Sequence, residues 1–122
     1  MSFDQATLEL LDKSLEVEIE TARVDGSMRR TIIWIVVDHG EVFVRSVRGD
    51  RGHWFQAALS GDEPIHLEVG NQRIPVSAQP ADDADSIRHC SRALELKYAG
   101  DPALQSMLRP MVLSTTLRLQ PA

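Results

Sequence analysis

The sequence predicts a mainly β, α+β fold: a six-stranded antiparallel barrel with short peripheral helices. Three observations carry that expectation. Apolar and polar residues alternate with period two in short runs, as in Glu16 to Thr21 and in Ile65 to Val69, the pattern of strands with one wet and one buried face. The runs are joined by tight turn signals, Asp25-Gly26, Asp38-His39-Gly40 and Gly70-Asn71-Gln72, which make hairpins rather than crossovers. Helical periodicity is confined to a few short inserted segments, unlike the regular strand–helix alternation of a parallel sheet.

Taken in order, Ser2 followed by Gln5 forms a capping-box pattern for a helix over about residues 4–13, with Phe3, Leu8, Leu11 and Leu15 on its apolar side. Glu16, Glu18 and Glu20 then alternate with Val17, Ile19 and Thr21 in a first strand. The stretch from Arg29 to Val37 reads as one strand that is apolar on both faces, which places it centrally. In the returning strand, Glu41 to Val47, Phe43, Arg45 and Val47 share one face and Val42, Val44 and Ser46 the other. Trp54, Phe55, Ala58 and Leu59 give the apolar side of a short helix ending near Ser60-Gly61. Strands over about 64–69 and 73–80 follow, and Pro75, which has no N–H to donate, marks the second as an edge or bulged strand. Asp82, Asp83 and Asp85 open a helix whose stripe is Ile87, Cys90, Leu94 and Tyr98 and whose end is Gly100. A short helix over about 102–107 and a last strand over about 112–119 complete the chain, with Ser114-Thr115-Thr116 read as ordinary strand residues.

The 122 residues suit a single domain, 1–122, with no internal repeat and no linker. At 43% hydrophobic and 25% charged, the composition is that of a globular protein. The longest apolar run, Ile32 to Val37, is far short of the roughly 18 residues of a membrane span. Met1-Ser2-Phe3-Asp4 lacks the basic-then-apolar pattern of a secretory signal, so a cytoplasmic location is expected. Cys90 is the one cysteine, which excludes an intrachain disulfide and a cysteine metal cage; no pair among the four histidines has ligand spacing, so no metal is expected.

A net charge of -5 argues against nucleic-acid binding. The distribution is more telling than the sum. Residues 23–51 hold six Arg (23, 29, 30, 45, 48 and 51) against four acids, a positive island between two acidic flanks, and every base in it is Arg. Guanidinium groups suit planar, bidentate contact with phosphate and keep their charge when buried. Arg45 and Arg48 flank Ser46, while Gly49 and Gly52 let backbone amides approach an anion at a helix start. The bland reading has these arginines pairing with Glu16, Glu18 and Glu20 on a neighbouring strand. Cys90 reads as a small core residue, and Trp34 and Trp54 read as core anchors. No Ser/His/Asp or paired-carboxylate arrangement follows from spacing, so no catalytic residue is assigned.

Arg29-Arg30-Thr31-Ile32-Ile33-Trp34, Val44-Arg45-Ser46-Val47-Arg48-Gly49 and Thr115-Thr116-Leu117-Arg118-Leu119 resemble the flavin-binding split β-barrel superfamily, the pyridoxamine-phosphate-oxidase-like fold. The likeness runs from about residue 15 to Gln120, lies near the deazaflavin-dependent nitroreductase branch, and includes an uncharacterised bacterial family within that superfamily. The resemblance implies a six-stranded antiparallel split barrel, a homodimer, and FMN or deazaflavin as cofactor. It also implies phosphate contacts at Arg30 and Thr31 on one strand and Arg45, Ser46, Arg48 and Gly49 on the next, with Trp54 anchoring the helix. Relatives often carry Ser-Lys-Gly-Gly where this chain has Ser46-Val47-Arg48-Gly49. Two functions follow as expectations: an FMN- or deazaflavin-dependent oxidoreductase of unknown substrate, or a non-catalytic dimeric barrel that has lost the cofactor, with no nucleic-acid or membrane partner for either.

Overall fold

The structure, a computed structural model, describes residues 2–122. Helix α1 (Gln5–Lys13) precedes strands β1 (Val17–Ala22), β2 (Met28–Ile33), β3 (Val36–Asp38) and β4 (Glu41–Val44). A single 3-10 turn, Gly49–Arg51, leads into helix α2 (His53–Ser60); strands β5 (Ile65–Val69) and β6 (Gln72–Pro80) follow. Helix α3 (Ala84–Lys97), a 3-10 turn at Leu104–Met107, the one-turn helix α4 (Pro110–Leu113) and strand β7 (Leu117–Pro121) complete the chain. The seven strands form one antiparallel sheet in the order β2-β1-β5-β6-β7-β4-β3. Among the described residues, no helix is long and apolar enough to cross a membrane.

The mainly β, antiparallel expectation holds, with seven strands in place of six. The extra strand comes from a correction: the stretch from Arg29 to Val37 is not one central strand. It breaks at Trp34-Ile35 into β2 and β3, which are the two opposite edges of the sheet. The three Cα–Cα steps from Ile33 to Val36 span at most about 11 Å. The sheet must therefore curl until its edges nearly meet, which makes a barrel with an open seam. Tyr98, at the end of α3, pins that seam. Its hydroxyl accepts from the Ile35 N–H at 3.2 Å and donates to the Leu15 carbonyl at 2.7 Å. Beside it, Lys97 Nζ donates to the carbonyls of Leu11 at 3.1 Å and Ile35 at 2.7 Å.

Two cores hold the layers together. Inside the barrel, Val17, Ile19, Ile33, Ile35, Val42, Val44, Leu67 and Leu119 meet Leu11 of α1 and Trp54, Phe55 and Ala58 of α2. Outside it, Val36 and Phe43 pack under Cys90, Leu94, Tyr98 and Met107, so α3 lies on the β3–β4 face. The apolar stripe of α3 and the core reading of Cys90 thus stand, and each large apolar side chain so buried contributes about 1.5–3 kcal/mol. Burial pushes the Cys90 thiol up to about 11, which keeps it an inert thiol.

Three local expectations are corrected. The cap of α1 is Asp4, whose Oδ1 accepts from the Thr7 N–H at 2.8 Å, rather than the Ser2–Gln5 box. β6 is an interior strand, between β5 and β7. Pro75 is tolerated there because its carbonyl takes the Ala122 N–H on the β7 side, past the last β6–β7 pair at Val76–Pro121, where no further ladder bond is required of its nitrogen. Residues 112–116 are not strand. Thr115 and Thr116 turn their hydroxyls back onto the carbonyls of Val112 at 2.6 Å and Leu113 at 2.7 Å, which competes with a strand ladder.

Candidate functional site

Edge strand β2, the loop after β4 and the start of α2 enclose a cavity of about 350 Å³. Arg29, Thr31 and Ile33 reach it from alternate positions of β2, Ile32 borders it where the strand ends, and Trp34 reaches it from the break. Arg45, Ser46, Val47 and Arg48 line the opposite wall, Gly52, His53 and Trp54 the end at α2, and Ala103 and Met107 the side beneath α3. The volume lies at the low end of the roughly 300–1,000 Å³ common for small-molecule sites.

Ser46 is the most informative wall residue. It is 1% exposed. Its N–H donates to Thr115 Oγ1 at 3.0 Å, but its own Oγ has no hydrogen-bond partner. A buried hydroxyl without a partner costs roughly 1–3 kcal/mol. Its hydroxyl can sit where it does because residue 52 is glycine: a Cβ there would lie 2.5 Å from Ser46 Oγ, so Oγ is packed directly against the Gly52 backbone. Gly52 also begins α2, where no side chain caps the first-turn N–H groups. An unpaired hydroxyl, uncapped amides at the positive end of a helix, and the guanidinium groups of Arg29 and Arg48 therefore line one cavity, a donor set suited to an anion. Among the described residues, neither Arg29 nor Arg48 pairs with a carboxylate. Glu16 is the one acid in the lining.

Arg45 has a different character. It is 2% exposed, and four of its donor contacts are made within the protein. Nε donates to Thr116 Oγ1 at 2.9 Å, Nη1 to Ser91 Oγ and the Met107 carbonyl, both at 3.0 Å, and Nη2 to the Ile87 carbonyl at 3.2 Å. The guanidinium clamps the end of β4 to α3 and to the Leu104–Met107 turn. Burial lowers its pKa, with Cys90 the only nearby group opposing that shift, so the charge stands behind the cavity wall without a carboxylate.

Of the seven residues singled out from the sequence, Thr31, Arg45, Ser46, Arg48 and Trp54 line the cavity. Arg30 does not. It sits on the outer face of β2, where Nε meets Glu20 Oε2 at 3.1 Å and Nη2 lies 4.0 Å from Glu68 Oε1, while Arg73 Nη2 takes Glu20 Oε1 at 2.6 Å. The surface-pairing reading therefore describes Arg30, and not Arg45 or Arg48. Gly49 also stays out of the lining. With φ +69° and the Met111 carbonyl 3.5 Å from where a Cβ would stand, it shapes the turn that delivers Gly52. Arg29, Trp34, His53 and Met107 were missed. For Arg29 and Trp34 a signal existed, since both share strand parity or adjacency with Thr31; Met107 comes from a distant segment and left none.

A family model described as "Uncharacterized protein conserved in bacteria (DUF2255)" matches residues 7–119. No curated protein matches the chain in sequence. Among solved structures, it is similar to a conserved hypothetical protein from Mycobacterium tuberculosis, at 15% identity and TM-score 0.66 over 98% of this chain and 79% of that one. A putative pyridoxamine 5'-phosphate oxidase from Listeria innocua aligns at 11% identity and TM-score 0.66, over 95% of this chain and 90% of its own. An F420 reductase aligns at 14% identity and TM-score 0.61, over 93% and 91%. At such identities the likeness is one of fold, and the fold is the split barrel of the pyridoxamine-phosphate-oxidase kind.

Proposed function

The chain belongs to this bacterial family (DUF2255), and from its cavity we propose that it binds a flavin-type ligand, FMN or the deazaflavin coenzyme, with the phosphate at Ser46, Arg48 and the start of α2. The observation that carries the reading is the buried, unpartnered Ser46 Oγ in the cavity wall, packed against Gly52 at the start of α2. A phosphate oxygen there gives that hydroxyl an acceptor and the α2 amides a charge to bind. Thr31 and Arg29 approach from β2, Trp54 fixes the helix, and Arg45 supplies positive charge from behind while holding the wall in place. When bound, a flavin or deazaflavin supplies hydride transfer at its ring, so the residues here are asked to bind and orient rather than to act as acid or nucleophile. The split-barrel neighbours, an F420 reductase among them, support that class of ligand. A second copy is proposed to cover edge strand β2, whose outward residues Met28 and Ile32 are 44% and 63% exposed.

The test is titration of the purified protein with FMN and with the deazaflavin coenzyme, by calorimetry. Arg48→Ala is expected to weaken binding by roughly 1.5–3 kcal/mol, the worth of a hydrogen bond to a charged group. Arg30→Ala, on the outer face, is expected to leave it unchanged. If neither compound binds wild-type protein at high micromolar concentration, the reading fails.

A further inference from the structure

Trp34 lies in the same cavity and is half-buried. Its ring is stacked on Tyr98, with centroids 3.9 Å apart and planes 3° from parallel. Tyr98 cannot turn away from it, because its hydroxyl is tied to Ile35 and Leu15 across the seam, and Lys97 Nζ sits 5.5 Å from the centroid of the Tyr98 ring. One face of the indole is thus occupied and its position fixed. The part of the indole that borders the cavity, beside Ile33 and Ala103, makes an apolar wall separate in character from the hydroxyl, guanidinium and amide donors at Ser46, Arg48 and α2. A cavity with one anion-binding end and one flat, rigid aromatic wall fits a ligand with the same two parts.

We propose that Trp34 is the platform on which a planar aromatic ring of the ligand stacks, with Tyr98 as the layer beneath that holds the platform flat. This rests on the reading of the Ser46–Arg48 end as a phosphate site and adds the ring's position to it. Stacking on an indole selects for ring area and electron-poor character rather than for a hydrogen-bond pattern, so FMN and the deazaflavin coenzyme are both accepted at this wall. Tyr98 acts as a positioning residue, through Trp34.

The experiment uses the fluorescence of the ligand itself, since an indole stacked on a flavin-type ring quenches the ring's emission by electron transfer. Wild-type protein is titrated with FMN and with the deazaflavin coenzyme, and inorganic phosphate is used as competitor to report on the anion end alone. Bound ligand is expected to be dark in wild type. In Trp34→Leu, affinity for the ring-bearing compound is expected to fall about tenfold and the bound ligand to regain emission, while the competition constant of inorganic phosphate stays the same. Trp34→Phe, which keeps a smaller ring and guards against misfolding, is expected to fall between the two. Bright bound ligand in wild type, or equal affinity and emission in wild type and both variants, overturns the platform while leaving the phosphate reading intact. Failure of all three compounds to bind wild type overturns both.

Discussion

Ser46 and Gly52 form a complementary pair, a buried hydroxyl without a partner and the missing side chain that lets the hydroxyl pack against backbone. Their variants separate binding from folding. Ser46→Ala removes the unpaired hydroxyl and breaks no bond of it, so folding stability measured by urea denaturation is expected to rise, by up to roughly 1–3 kcal/mol, while flavin-type affinity falls by roughly 1.5–3 kcal/mol. Gly52→Ala drives a methyl group into Ser46 Oγ, displaces that wall of the cavity, and is expected to abolish binding in the same titration. Arg45→Ala does the opposite. It strands Thr116, Ser91 and two carbonyls, and is expected to cost on the order of 3 kcal/mol or more in denaturation, whatever it does to ligand. The sequence made the Arg45-Ser46-Arg48 cluster visible as a set of residue types, but not which donors were already engaged, because the partners of Arg45 lie 42 to 71 residues away. Arg30 shows the simpler lesson. Neighbouring residues of a strand point to opposite faces, so Arg30 and Thr31 cannot both face one cavity, and it is Arg29 that shares a face with Thr31.

Among the elements, the hairpins, α2 and α3 were legible because each has a local signal: alternation, a turn dipeptide, a cap, a terminal glycine. The break at Trp34-Ile35 had none. Ile32 to Val37 is uniformly apolar, and the interruption is imposed by Tyr98 and Lys97, more than 60 residues on. Tyr98→Phe keeps the ring against Trp34 but removes the acceptor of the Ile35 N–H, and is expected to cost roughly 1–3 kcal/mol, read by urea denaturation. Lys97 makes the pin depend on pH. Burial lowers its pKa from 10.5 to about 8. Between those values the unfolded chain binds more protons than the folded one, so the contribution of Lys97 to stability rises as pH increases through that window. The raised Cys90 thiol acts with the opposite sign above pH 9, so the gain is read as a difference: wild type is expected to gain stability relative to Lys97→Met between pH 7.5 and pH 10 in denaturation.

At the scale of the whole molecule, the curled sheet leaves β2 and β3 as edges and exposes Met28 and Ile32 on the β2 side. A homodimer is expected, and light scattering at micromolar concentration checks it: Met28→Glu should shift the mass towards the monomer, whereas a monomeric wild type removes the expectation. The barrel class was readable from hairpin spacing, but the order of strands was not, because β7 pairs with elements far from it in sequence. Its position has a consequence for synthesis. β7 is the wedge between β6 and β4, and residues 117–121 are the last of the sheet to leave the ribosome. Until they emerge, β1, β2, β5 and β6 can form one ribbon, but the β3–β4 hairpin has no strand to join and both ribbons keep a bare edge. Until β7 emerges the nascent chain is therefore open to pairing with its neighbours on a polysome, and closure is a single event that waits for that strand rather than a gradual one.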